Sequence, residues 1–161
     1  MSHFASEVAA LAGALQARRA MLATAESCTG GMIAAACTDR AGSSEWFERG
    51  FVTYSDAAKR QMLGVSKKTL KKHGAVSQET AREMARGALK RSRGTIAVAV
   101  TGVAGPTGGS AAKPVGTVCF AFATPKRVLS ETRHFKGDRE SVRQQSVVRA
   151  LEGVLELLSG G

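Results

Sequence analysis

The chain has 161 residues, enough for one domain with a sizeable core, and 43% of them are hydrophobic, as in an ordinary globular protein. Only 5% are aromatic and 18 are glycines, so small side chains and close helix–sheet contacts should dominate and a base-stacking platform for nucleic acid is not expected. The net charge of +10, from 23 Lys and Arg against 13 Asp and Glu, favours anionic partners without choosing among phosphorylated metabolites, nucleic acid and acidic proteins.

Phe4, Val8, Leu11 and Leu15 recur at helical spacing and predict an amphipathic helix over about 4–18. A short strand over about 20–25 follows, then the stretch Thr24-Ala25-Glu26-Ser27-Cys28-Thr29-Gly30-Gly31 and a helix to about Asp39. Ser43 or Ser44 can cap a short turn through Glu45-Trp46-Phe47, and Gly50-Phe51-Val52-Thr53-Tyr54 reads as a second strand. Ser55 or Asp56 caps a helix over 57–63, closed by Gly64; Ser66 caps a basic one to His73, closed by Gly74. Ser77 precedes a helix over about 78–91 with Ala81, Met84, Ala85, Ala88 and Leu89 on one face.

Residues 95–101 are nearly all apolar or β-branched, as in a central strand covered on both faces. A glycine-rich loop, 102–110, comes next. Strands over 115–123 and 128–135 are joined by the short connector 124–127 and form an antiparallel hairpin. Asp138 caps a last helix with Val142, Val147, Val148, Leu151, Val154, Leu155 and Leu158 as its apolar stripe. Helices before, between and after the strands predict an α/β fold, a three-layer α/β/α sandwich with a mixed, partly parallel sheet, in a single domain over 1–161. Ligands in such sheets bind off the carboxyl ends of parallel strands, which would bring the 27–31 turn and the 102–110 loop to one pocket.

The chemistry centres on the first of these turns. A helix opening on Gly30-Gly31 leaves backbone N–H groups unpaired at its positive end, beside three candidate nucleophiles, Ser27, Cys28 and Thr29. A plain helix cap uses the same residue types. A serine nucleophile without a suitable histidine needs another base, and Lys59, one turn into the helix after Tyr54, can serve if its pKa is depressed. A solvated lysine beside a half-buried tyrosine is the alternative. Cys28 is the rival nucleophile, its thiol expected to be acidified by the helix N-terminus. Glu26 is either the partner of a pocket cation or an exposed turn residue. The 102–110 loop matches neither the P-loop nor the dinucleotide-binding fingerprint. Arg139 and Arg143 stand one helical turn apart.

Cys28, Cys37 and Cys119 form no metal-ligand spacing and no even disulfide framework, and the histidines follow no zinc signature, so no metal is expected. No stretch approaches the roughly 20 apolar residues of a membrane span. Met1-Ser2-His3-Phe4 opens without a basic segment leading into an apolar one, which predicts a cytoplasmic protein. The Trp46-Phe47 face, or the last helix, is a candidate homo-oligomer surface.

Five segments together carry a resemblance: TAESCTGG, GSSEWFERGFVTYSDAAK, HGAVS, TGVAGPTGGSAAKPVGTV and FKGDRESVRQQ. In this order, over nearly the whole chain, they resemble the C-terminal domain of the CinA family, whose stand-alone members are nicotinamide-nucleotide amidohydrolases. The molybdopterin-binding-like domain of the two-domain members has no counterpart here. The resemblance implies hydrolysis of the carboxamide of nicotinamide mononucleotide to nicotinate mononucleotide and ammonia, on an α/β/α fold, with no cofactor. It places the nucleophile at Ser27, the family's tyrosine and lysine at Tyr54 and Lys59, and a family arginine at Arg143. With it, the N–H groups of Cys28, Thr29, Gly30 and Gly31 become the expected oxyanion cradle. Tyr54 becomes the residue holding Lys59, Arg139 and Arg143 the phosphate ligands, and Thr101, Gly102 and Gly105 part of a loop closing over the nucleotide. A non-catalytic nucleotide sensor using the same pocket is the alternative; nucleic acid and membrane are not expected partners.

Overall fold

The structure, a computed structural model, describes residues 3–160. Met1 and Ser2, which entered the reading of the chain's start, and Gly161 lie outside the described residues. The elements run α1 (Ala5–Ala17), β1 (Leu22–Glu26), α2 (Met32–Thr38), a 3-10 turn (Ser43–Glu45) and β2 (Phe47–Val52). Then come α3 (Asp56–Leu63), α4 (Lys67–His73), α5 (Gln78–Lys90), β3 (Ile96–Gly102), β4 (Thr117–Ala123), β5 (Val128–His134) and α6 (Arg139–Ser159).

The five strands form one sheet in the order β2-β1-β3-β4-β5. β1 runs parallel to β2 and β3, whereas β3, β4 and β5 are antiparallel neighbours. The mixed α/β/α architecture is therefore as the sequence predicts. β1 and β3 pair in register from Leu22 with Ile96 to Glu26 with Val100, so the two loops that follow leave the same end of the sheet.

β1 and β4 are buried throughout and β3 up to its last residue, and their side chains alternate between two different cores. One face carries Leu22, Ile96, Val98, Val100, Phe120 and Phe122 against α1, α2 and α6. The other carries Ala23, Ala25, Ala97, Ala99, Ala121 and Ala123 against Ala81, Met84, Ala85 and Ala88 of α5. A strand face made of alanine lets a helix lie close to the sheet, which explains how a core with few aromatics is filled. Glycines sharpen the fit on both sides. A Cβ at Gly87 would stand 1.9 Å from the Leu63 carbonyl oxygen, and one at Gly153 would stand 2.1 Å from the Phe122 ring.

Three expectations change. The second strand covers Phe47–Val52, not 50–54. Gly50 lies inside it because a Cβ there would come within 2.7 Å of Thr24 Oγ1, while Thr53 and Tyr54 have already left the sheet. Trp46 is 1% exposed and belongs to the core, so it is no surface for a second copy. In α6 the buried stripe includes Ser146, Ala150, Gly153 and Leu157, with Val148, Leu155 and Leu158 only half-buried. Among the described residues no helix is long and apolar enough to cross a membrane.

Candidate active site

Ser27 is the first residue beyond β1, and its amide donates to the Val100 carbonyl at 3.0 Å, tying the turn to the end of β3. The turn that follows reverses on Gly30 and Gly31, whose φ values of +58° and +105° lie in the region that favours glycine. Glu26 is not exposed, and it is not paired with a cation among the described residues. It is 1% exposed, and its Oε1 accepts from Thr29 Oγ1 at 2.6 Å and the Ile33 amide at 2.9 Å, while Oε2 accepts from the Ala34 amide at 3.0 Å. A buried carboxylate thus occupies the positive end of α2, where it is favoured by both hydrogen bonds and dipole.

The expected anion cradle changes accordingly. The amides of α2 itself serve Glu26, and the Gly30 amide donates to the Ser27 carbonyl at 3.0 Å. The amides of Cys28, Thr29 and Gly31 find no acceptor among the described residues. The turn, not the helix, holds the unpaired donors.

Lys59 comes from α3, whose buried face is Lys59 and Leu63, four residues apart. Ser55 caps this helix by accepting from the Ala58 amide. Burial leaves Lys59 1% exposed and holds its ammonium below the usual lysine range, with Asp56 and Cys28 pulling more weakly the other way. Lys59 Nζ lies 2.9 Å from Ser27 Oγ, 3.1 Å from the Thr53 carbonyl oxygen and 3.2 Å from the Tyr54 carbonyl oxygen. Carbonyls can only accept. In the neutral amine the two N–H bonds go to the two carbonyls, and the lone pair is left facing the Ser27 hydroxyl.

Tyr54 therefore meets the lysine through its backbone. The residue is 61% exposed and its hydroxyl accepts from Arg139 Nη2 at 3.1 Å, so its contact with Lys59 is made by its carbonyl, alongside that of Thr53. Thr53, which the sequence reading passed over, supplies the second carbonyl. Its place immediately before Tyr54, at the point where the chain leaves β2, was the available signal.

Cys28 does not fit the role of rival nucleophile. Its side chain is 5% exposed in the core, and burial pushes its thiol up to about 12, the opposite of the expected acidification. Its carbonyl and that of Thr29 instead accept from Arg143, Nε at 3.1 Å and Nη2 at 3.4 Å. Arg139 Nη1 donates to the Gly105 carbonyl at 2.8 Å. The two arginines at the start of α6 thus reach the turn, the 102–110 loop and Tyr54. Gly102 ends β3 beside Val118, and Thr101 spends its hydroxyl on the Ala75 carbonyl at 2.9 Å.

The sequence model of the CinA C-terminal domain matches residues 5–158. The chain belongs to this family. Nicotinamide-nucleotide amidohydrolase PncC of Escherichia coli (strain K12) is 57% identical to it over 140 residues, spanning 86% of this chain and 85% of that protein. The protein of the same name from Pseudomonas putida is 57% identical over 138 residues, spanning 86% of each chain. The crystal structure of competence/damage inducible protein CihA from Agrobacterium tumefaciens superposes with a TM-score of 0.90 at 49% identity, over 98% of this chain and 99% of that one. The CinA C-terminal domain thus accounts for nearly all of the chain, including every residue of the site described above.

Proposed function

We propose that this protein is a nicotinamide-nucleotide amidohydrolase that converts nicotinamide mononucleotide to nicotinate mononucleotide and ammonia, with Ser27 as nucleophile and Lys59 as base. The observation that carries the reading is the buried 2.9 Å contact between Lys59 Nζ and Ser27 Oγ, with two backbone carbonyls fixing the amine. The nicotinamide-nucleotide amidohydrolase name of relatives 57% identical supports the substrate.

In this reading Ser27 Oγ attacks the carboxamide carbon as Lys59 Nζ takes its proton. The oxyanion is received by the turn's unpaired amides, those of Cys28, Thr29 and Gly31. The C–N bond then breaks, and Lys59 returns the proton to the leaving nitrogen, which departs as ammonia. Water adds to the resulting ester with Lys59 again as base, and the C–O bond to Ser27 breaks to release the carboxylate. Every proton is handled by one amine, so the chemistry needs no cofactor. Arg139 and Arg143 receive the substrate phosphate, and the 101–105 segment, held to Arg139 through Gly105, covers the nucleotide.

The test is product formation by the purified protein without added metal. The reading predicts one ammonia and one nicotinate mononucleotide per nicotinamide mononucleotide consumed. Saturable nucleotide binding without ammonia release would overturn it in favour of a sensor.

A further inference from the structure

A polar cavity of about 710 Å³ opens on the α5 side of the sheet. Its volume is that of a metabolite site, for which about 300–1,000 Å³ is typical. Ser27, Lys59, Tyr54, Arg139 and Arg143 are all absent from its lining. The walls bring together Lys72 and His73 from the end of α4, Arg82 from α5, Lys113 from the loop before β4 and His134 from the end of β5. Glu79 is the one acidic side chain among the lining residues.

These cations converge on one place. His73 Nδ1 is 3.6 Å from Glu79 Oε2. Glu79's own amide, and then the charges of His73, Arg82 and Lys113, hold its carboxyl below the usual range. One carboxylate cannot neutralise the group, and much of its donor capacity is unspent. Lys113 Nζ gives one hydrogen bond, to the His73 carbonyl, and Arg82 gives one, from Nη1 to Ser130 Oγ at 2.7 Å. The Lys72 side chain has no hydrogen bond or ion pair among the described residues. The first turn of the 13-residue helix α5, through Gln78 and Glu79, also lines the cavity and adds the positive end of its dipole. Gln78 is fixed there by Thr132 and Ser130, a polar wall that a sugar or amide group can use.

We propose that this cavity is a second ligand site, which takes a small phosphate-bearing metabolite on Lys72, Arg82 and Lys113 and is independent of amide hydrolysis at Ser27. It is also placed to communicate with that site. Cys119 in its lining is the register partner of Thr101, and Thr117, also in the lining, accepts the Val103 amide through its carbonyl at 2.8 Å. A ligand that orders the Lys113 segment therefore bears on the same backbone that continues into the 102–110 loop.

The experiment is a titration of the full chain with inorganic pyrophosphate at fixed pH and ionic strength, followed by amide chemical shifts. Saturable shifts are expected at residues 72–73, 78–82 and 113–117, and equally in Ser27→Ala. Lys72→Glu and Arg82→Gln should each weaken that binding about tenfold, the loss of one charge-assisted contact. Lys72 has no partner to lose, so its variant keeps the fold even if the Arg82 variant does not. Shifts confined to residues 27–31 and the start of α6 would assign the anion to the Ser27 site and overturn the proposal. So would the absence of saturation, or shifts at the cavity that neither variant weakens, which would mark a merely solvated cluster.

Discussion

The decisive residues of the site are defined by what surrounds them more than by what they are. In the proposed mechanism Lys59 can act as base because burial disfavours its charge and two carbonyls take its N–H bonds. The ammonium has no lone pair, so turnover should rise with pH as Lys59 loses its proton. The midpoint of that rise in kcat/KM should lie below 10.5, the ordinary lysine value. A pH–rate profile checks this, and a profile flat across the range would separate Lys59 from the proton transfer. Glu26 is a residue of the same kind, a carboxylate whose purpose is local. Its three hydrogen bonds hold the start of α2, so Glu26→Ala should cost about 3 kcal/mol in a denaturant titration by leaving buried donors unpaired. Glu26→Gln keeps one acceptor and should cost less.

At the scale of elements, close packing on two unlike sheet faces sets the tolerances. Gly153→Ala drives a methyl into the Phe122 ring, and Gly87→Ala drives one into the Leu63 carbonyl. Each should destabilise by about 2–3 kcal/mol, read from the shift in urea midpoint at unchanged slope. This scale also shows what the sequence discloses and where it stops. The helix over 5–17 was legible from its apolar periodicity, and those over 56–63, 67–73 and 78–90 because serine caps, and glycine stops in the first two, mark their ends. The β3 strand was legible because alternation between Val and Ala still reads as a continuous apolar run. The second strand was misplaced because Phe47 reads with the capped turn before it and the charged pair Glu48-Arg49, on a partly exposed edge strand, breaks the apolar run. Ser27, Lys59 and Arg143 could be named from local pattern and resemblance. The use of the Thr53 and Tyr54 carbonyls to hold Lys59 could not, since no pattern of side chains encodes where a backbone carbonyl points. Cys28 illustrates the same limit. Its position before a helix suggests an acidic thiol, whereas its side chain belongs to the core.

Across the whole molecule, the sheet direction and the charge work together. The parallel pairing of β1 with β3 sends the 27–31 turn and the 102–110 loop to one end, and α6 brings Arg139 and Arg143 to both. With a net charge of +10, approach of an anionic nucleotide should be favoured at low ionic strength. Raising sodium chloride from about 0.01 to 0.15 M, which shortens the screening length from about 30 to 8 Å, should lower kcat/KM for nicotinamide mononucleotide while leaving kcat nearly unchanged. The account as a whole stands on Ser27 as the attacking group. The measurement that tests it most directly is ammonia release from nicotinamide mononucleotide by the wild type, Ser27→Ala and Cys28→Ala, each with its nucleotide binding measured in parallel. Ser27→Ala should bind the nucleotide and lose activity by about 10⁴-fold or more, with Cys28→Ala remaining active. Turnover retained by Ser27→Ala, or abolished in a folded, nucleotide-binding Cys28→Ala, would contradict the account.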